Sequence, residues 1–402
     1  MKISKNLKIS IDSIFIFLCM LAFIVPEYLL RLPYMNQFYD IYKVLISLIL
    51  VSKLVCRKHY NKFNLLWIGF EAWIVFVTII RDGSVSYSIK MAVIIISIAA
   101  LYEIYSDKPV KLYKNMYYIF ELFIYINFIT VLLFPNGMYS TGIIGETTEN
   151  WFLGFKNKHL IYFLPATGIT LILCKLEKFN FRRILLLIVT IISALYVKSG
   201  TGLLCLSVLY IMVFVPFIRK KYKIFNMGTY LFATIIIFFA IPILRLQYMF
   251  SYIIVVILKK DINLTYRTNL WDTALNAISQ HPIMGWGEQS YDVKHQLYSS
   301  NSIISAHNQI LEYLYLGGVI LMILYLIINI MMVKKTRRYA GFEATQIASA
   351  LYMALQVALI AEVYVDPSMY MIYFIVWHID SVCRKCSQST YKQIAKGGGK
   401  NE

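Results

Sequence analysis

The sequence predicts an all-α, polytopic integral membrane protein with about twelve transmembrane helices. Three observations predict it. The 402-residue chain is 59% hydrophobic with a mean hydropathy of +0.64, whereas soluble chains are nearer half apolar. The excess is gathered into blocks of roughly 17 to 25 residues, the length that crosses about 30 Å of hydrocarbon. The basic residues fall in every second loop between those blocks.

The apolar blocks lie near 11–30, 41–56, 64–80, 88–105, 116–134, 159–174, 184–198, 202–218, 227–245, 308–333, 345–362 and 369–383. The organisation that follows is nine spans over 1–245, a large outer loop over 246–307, three more spans over 308–383 and a tail over 384–402. Part of the large loop, 246–258, is itself apolar but too short for a separate span. Lys2, Lys5 and Lys8 precede the first block, which runs on into Pro26 and Glu27 with no small-residue cleavage motif, so it reads as an uncleaved helix.

The net charge of +18 invites a nucleic-acid partner. The cations are instead dispersed in short runs, as membrane topology requires. One set of alternate loops, together with both termini, holds about two thirds of the 39 Lys and Arg. That set includes Lys53/Arg57, Lys108/Lys111/Lys114, Arg182/Arg183, Arg219/Lys220/Lys221/Lys223 and Lys334/Lys335/Arg337/Arg338. The bias puts those loops and both termini in the cytoplasm and leaves no case for nucleic acid. None of the six cysteines falls in an outer loop, and Cys383-x-x-Cys386 alone offers a metal only two ligands.

The two long outer segments, 135–158 and 246–307, are where function is expected. In the larger one, residues 265–279 read as an amphipathic helix. Leu270, Trp271, Ala274, Leu275 and Ile278 share one face, opposed by Asn269, Asp272, Thr273 and Asn276. Thr265 is the expected cap and His281-Pro282 the stop, followed by a Gly285-Trp286-Gly287 turn. Arg267 stands in the first turn, where a cation opposes the helix dipole. That position suits an anionic ligand, but from spacing alone a solvated surface Arg is the readier reading.

His307-Asn308 then opens the tenth span, with Glu312 one turn deeper and Gly317-Gly318 beyond, a pair that permits close helix packing. An imidazole there can exchange a proton near neutral pH. Glu312 is expected to face the bundle, either packing it or orienting His307. Tyr and Trp crowd the span ends as an interfacial belt. Trp151, Trp271 and Trp286 could also stack on sugar rings.

Taken in order, Arg267, Leu270-Trp271, His281-Pro282, Gly285-Trp286-Gly287, His307-Asn308, Leu311-Glu312 and Gly317 resemble the superfamily of O-antigen ligases and Wzy-type polysaccharide polymerases. The specific resemblance covers roughly 260–330. Trp151 to His159, with its Lys156-Asn157 pair, resembles the family's segment ahead of the sixth span more loosely. Lys198-Ser199-Gly200-Thr201-Gly202 occupies a turn where relatives carry an Arg that is missing here.

The resemblance implies the membrane glycosyltransferase C fold class and a metal-independent glycosyltransferase with no cofactor. The implied substrates are oligosaccharide repeat units on polyprenyl pyrophosphate, joined at the outer face of the cell membrane in capsule or surface-polysaccharide synthesis. A flippase and a chain-length regulator are the implied protein partners. His307 and Arg267 are the expected catalytic pair. Lys198, Lys156, Arg81, Trp271 and Asn308 are the expected ligands of pyrophosphate and glycan. Competing readings are an O-antigen-ligase-like transferase to another acceptor and a lipid-linked oligosaccharide flippase.

Overall fold

A computed structural model describes residues 10–57, 61–141, 148–177, 179–250, 267–299 and 305–386. Lys2, Lys5, Lys8, Lys58, Lys178, Thr265, the stretch 251–258 and the tail beyond 386 lie outside the described residues. The first half runs through α1 (Ile11–Phe23), α2 (Glu27–Leu30), α3 (Met35–Arg57), α4 (Lys62–Ile80), α5 (Val85–Ile104) and α6 (Pro109–Leu133). A small sheet of β1 (Tyr139–Thr141), β2 (Thr148–Trp151) and β3 (Gly154–Phe155) follows, antiparallel in the order β1-β2-β3. Next come α7 (Leu160–Glu177), α8 (Phe181–Tyr196), α9 (Gly200–Phe214), α10 (Pro216–Lys220) and α11 (Met227–Phe238). The chain ends with α12 (Arg267–Gln280), α13 (Tyr291–Tyr298), α14 (Gln309–Arg337), α15 (Glu343–Ala361) and α16 (Pro367–Trp377).

Among the described residues six helices, α4, α5, α6, α7, α14 and α15, are long and apolar enough to cross a membrane. Shorter apolar helices accompany them, among them α1, α9, α11 and α16. Each expected apolar block contains a helix. Proline trims several: Pro26 splits the first block between α1 and α2, Pro216 separates α9 from α10, and a π-helical turn at Phe239–Ile243 carries Pro242 after α11. The chain is mostly helical, and the long outer segment 135–158 adds the small three-stranded sheet. Asn127 in α6 accepts the Leu153 amide at 2.9 Å, and the Phe152 carbonyl accepts the Tyr28 amide. These bonds tie the end of the sheet to α6 and α2.

The helices sort by burial as a bilayer would demand. Every residue from Leu160 to Cys174 in α7 and from Ser368 to Trp377 in α16 is buried, so these helices are apolar on all sides and central. α3 and α8 instead present Leu45, Leu48, Ile184 and Ile188 outward, a lipid-facing surface. Ion pairs mark the two ends of the bundle. Lys108 and Lys111 with Asp12, Arg183 with Glu177, and Lys335 with Asp380 gather at one end, hereafter the basic end. Arg267 with Glu362 and Lys158 with Glu27 lie at the other.

α14 is broken where close packing was expected. Gly318 has φ 62° and ψ −159°, a conformation essentially reserved for glycine. The freed backbone groups pair with the 282–287 loop. Val319 donates to the Pro282 carbonyl at 2.9 Å, Trp286 to that of Tyr315 at 2.7 Å, and Gly287 to that of Leu316 at 3.0 Å. The Trp73 indole closes the remaining gap, donating to the Gly317 carbonyl at 2.9 Å. A Cβ on Gly318 would stand 2.2 Å from the Ile283 oxygen, and one on Gly285 would stand 2.6 Å from the Tyr315 oxygen. Gly318→Ala is therefore expected to cost at least about 1–3 kcal/mol from backbone strain, before the clash is counted. A thermal melt in detergent against Gly341→Ala, which has open space around it, checks this.

Candidate active site

The site is built where α14 begins and α15 ends. Asn308 caps α14, its Oδ1 accepting the amides of Ile310 and Leu311 at 3.0 and 3.1 Å. Its Nδ2 donates to the Ile360 carbonyl at 3.1 Å, and the next side chain, Gln309, accepts the Tyr364 amide at 2.8 Å. The two amides grip the chain on either side of Glu362, which is extended at φ −149°, ψ 162°.

Glu362 is the hub. Its Oε2 lies 2.5 Å from His307 Nδ1. Its Oε1 accepts from Arg267 Nη2 at 2.7 Å and from Asn157 Nδ2 at 3.0 Å. The carboxylate side chain is only 10% exposed, against 32% for His307 and 24% for Arg267. Burial disfavours its charge, but the hydrogen bond from His307 and the charges of His307 and Arg267 outweigh this. The carboxyl is held below its ordinary value of 4.5. His307 has φ 47°, a left-handed backbone uncommon for a non-glycine residue.

The structure thus brings together His307 and Arg267, 40 positions apart in the sequence, on a carboxylate that the sequence did not single out. The carboxylate offered to His307 by sequence, Glu312, serves elsewhere. It lies 3.5 Å from Lys294, which also binds Glu288 at 2.7 Å, and all three side chains are at most 15% exposed. Burial works against the Lys294 charge, yet the Glu312 and Glu288 carboxylates more than offset it, and the ammonium is held firmly protonated.

Two expected ligands are corrected. Trp271 is 1% exposed and packs in the core, so it offers no ring face to a sugar. Asn308 is fully buried and spends its amide on the α14 cap and on Ile360. Trp151 is likewise buried, its indole donating to the Phe134 carbonyl at 2.7 Å. Lys156 is exposed beside Asn157. Lys198 is exposed in the α8–α9 turn with φ 52°. α9 packs along α15. Arg81 lies 6.0 Å from the Trp286 ring, with no bond to Glu362 among the described residues.

One cation went unread in the sequence: Arg245, which donates to the Thr268 carbonyl at 3.0 Å, pairs with Asp272 and lies 5.1 Å from the Trp271 ring. It had been assigned to the end of a span. Arg245 Nη1 and Arg267 Nε are both buried without a partner among the described residues, two N–H donors turned inward with nothing to bind.

Residues 184–326 match the O-antigen ligase family. Over that stretch, about a third of the chain, the sequence is similar to that family. Members of that family are glycosyltransferase-like enzymes, ligases or polymerases. The matched stretch runs from α8 into α14 and so includes Arg245, Arg267 and His307, while Glu362 and Asn157 lie outside it. No curated protein matches the chain.

Two predictions follow from these partners. Because the Glu362 carboxyl is lowered on folding, its contribution to stability is present above about pH 4.5 and is lost as pH falls through the folded value. Glu362→Gln is expected to flatten that part of the acid-stability profile, read as melting temperature between about pH 6 and pH 3. Lys294→Met leaves two buried carboxylates uncompensated and is expected to cost about 3–5 kcal/mol, measured by denaturant or thermal unfolding in detergent.

Proposed function

We propose that this protein is a polysaccharide polymerase that joins oligosaccharide repeat units carried on polyprenyl pyrophosphate at the outer face of the cell membrane. The observation that carries the reading is the Glu362 carboxylate, shared by the His307 imidazole and the Arg267 guanidinium. The match of residues 184–326 to the O-antigen ligase family supports the class of chemistry.

The residues divide the work. His307 donates its Nδ1 hydrogen to Glu362, which selects the tautomer with a free Nε2 lone pair. The acceptor sugar hydroxyl gives its proton to Nε2 as its oxygen attacks the anomeric carbon of the donor. The bond from that carbon to the pyrophosphate oxygen breaks, and the electron pair leaves with the pyrophosphate. The resulting imidazolium is balanced by Glu362, and the guanidinium of Arg267 faces the departing charge. Arg245, bonded to Thr268 next to Arg267, supplies a second fixed cation. Lys156 and Lys198, exposed at the same end, extend the positive field. The left-handed backbone at His307 is the kind of local strain that active sites hold for positioning.

Supplied with purified lipid-linked repeat units, the wild-type protein should lengthen the glycan. His307→Ala is expected to slow this by about 10²–10⁴-fold and Arg267→Ala by about 10²–10³-fold. Full activity in both variants at normal folded levels would refute the mechanism. Transfer to a lipid core or wall polymer with no growth on lipid-linked units would make the protein a ligase. Movement of units across a bilayer without bond formation would make it a flippase.

A further inference from the structure

At the basic end, opposite Glu362, α11, α14 and α15 enclose a cavity of about 330 Å³. Lys223, Asn226, Arg337, Gln346 and Ser349 line it. Two neighbouring cavities share residues with it. One includes Arg219, Lys220 and Tyr222 together with Gln346, the other Lys175, Arg219 and Gln346. The three form a continuous cleft. Its one carboxylate, Glu343, is already bound by Lys175 and Arg219. Lys220, Lys223 and Arg337 have no ion pair among the described residues. Ser349, a residue only 4% exposed, lines the first cavity.

Retention of positive loops explains cations at this end of the molecule. It does not explain a walled cleft with donor side chains turned into it. We infer that this cleft binds the phosphate headgroup of an anionic membrane lipid. A phosphate has the acceptor oxygens that Lys223, Arg337 and Ser349 lack. Apolar surface beside the charges favours a lipid over a free phosphate. Phe217 and Ile224, which flank the cleft in sequence, are 56% and 57% exposed, and α11 turns Phe232 and Ile236 outward. Basic pockets between membrane helices are suited to such headgroups. This site lies at the opposite end from the proposed chemistry and does not depend on it.

The test uses the purified full-length protein in detergent, titrated with short-chain phosphatidylglycerol, short-chain phosphatidylcholine or glycerol 3-phosphate, and read by native mass spectrometry and melting temperature. The expected result is one retained phosphatidylglycerol with a raised melting temperature, and no such effect from the other two. The Lys223→Gln/Arg337→Gln pair should weaken this roughly tenfold or more. The Lys334→Gln/Arg338→Gln pair, which removes the same charge at the same end outside the cleft, should not. Equal weakening in both pairs would reduce the effect to a diffuse field and overturn the site. So would equal retention of phosphatidylcholine. Binding of glycerol 3-phosphate as tightly as the lipid would assign the cleft to a soluble phosphate instead.

Discussion

The Glu362 carboxylate ties together pieces of chain as far as 205 positions apart: Asn157 before α7, Arg267 at the head of α12, and His307 at the head of α14. Its negative charge is affordable at 10% exposure only because two cationic or proton-donating groups and an amide surround it. Remove the carboxylate and the imidazole loses its tautomer, while the guanidinium is left half-buried beside a neutral group. The position of Glu362 depends in turn on Asn308 and Gln309, which hold the backbone at Ile360 and Tyr364.

A second, separate frame stands behind this one. The 282–287 loop completes the backbone of α14 at its break, and the α4–α5 turn is sewn onto the same loop. Glu288 donates its amide to Thr78 Oγ1 at 2.8 Å, and Ser84 donates to the Glu288 carbonyl at 2.6 Å. The buried Lys294 with its two carboxylates fixes α13 to the first turn of α14. The polar groups at this end are thus divided between the Lys294 cluster, which ties α13 to α14, and the Glu362 cluster, which ties α12, α14 and α15.

Much of this was legible in the sequence because it follows from period and composition. The apolar blocks, the faces of α12 and the glycine turn are local properties, and Leu270, Ala274 and Ile278 are buried as their spacing predicts, with Asn269, Asp272 and Asn276 exposed. Arg267 and His307 stood out because each is costly or unusual at the start of a helix. Glu362 did not, for it sits at the end of an ordinary apolar run, and only the meeting of α14 with α15 reveals its neighbours. Gly317-Gly318 was read as a packing surface because a glycine pair looks the same whether it admits a helix or breaks one. Trp271 was assigned to a ligand because spacing gives a face but not what covers it.

The break at Gly318 has a consequence for how the two halves of α14 are oriented. In an unbroken helix, one residue inserted near the basic end turns everything above it by about 100°. Here the segment from Asn308 to Gly317 is indexed by its bonds to the 282–287 loop and to Ile360, not by the turns below it. The half of α14 toward the basic end, held by its own contacts at Tyr325, Asn329 and Lys335, is therefore set in rotation independently of the imidazole's heading.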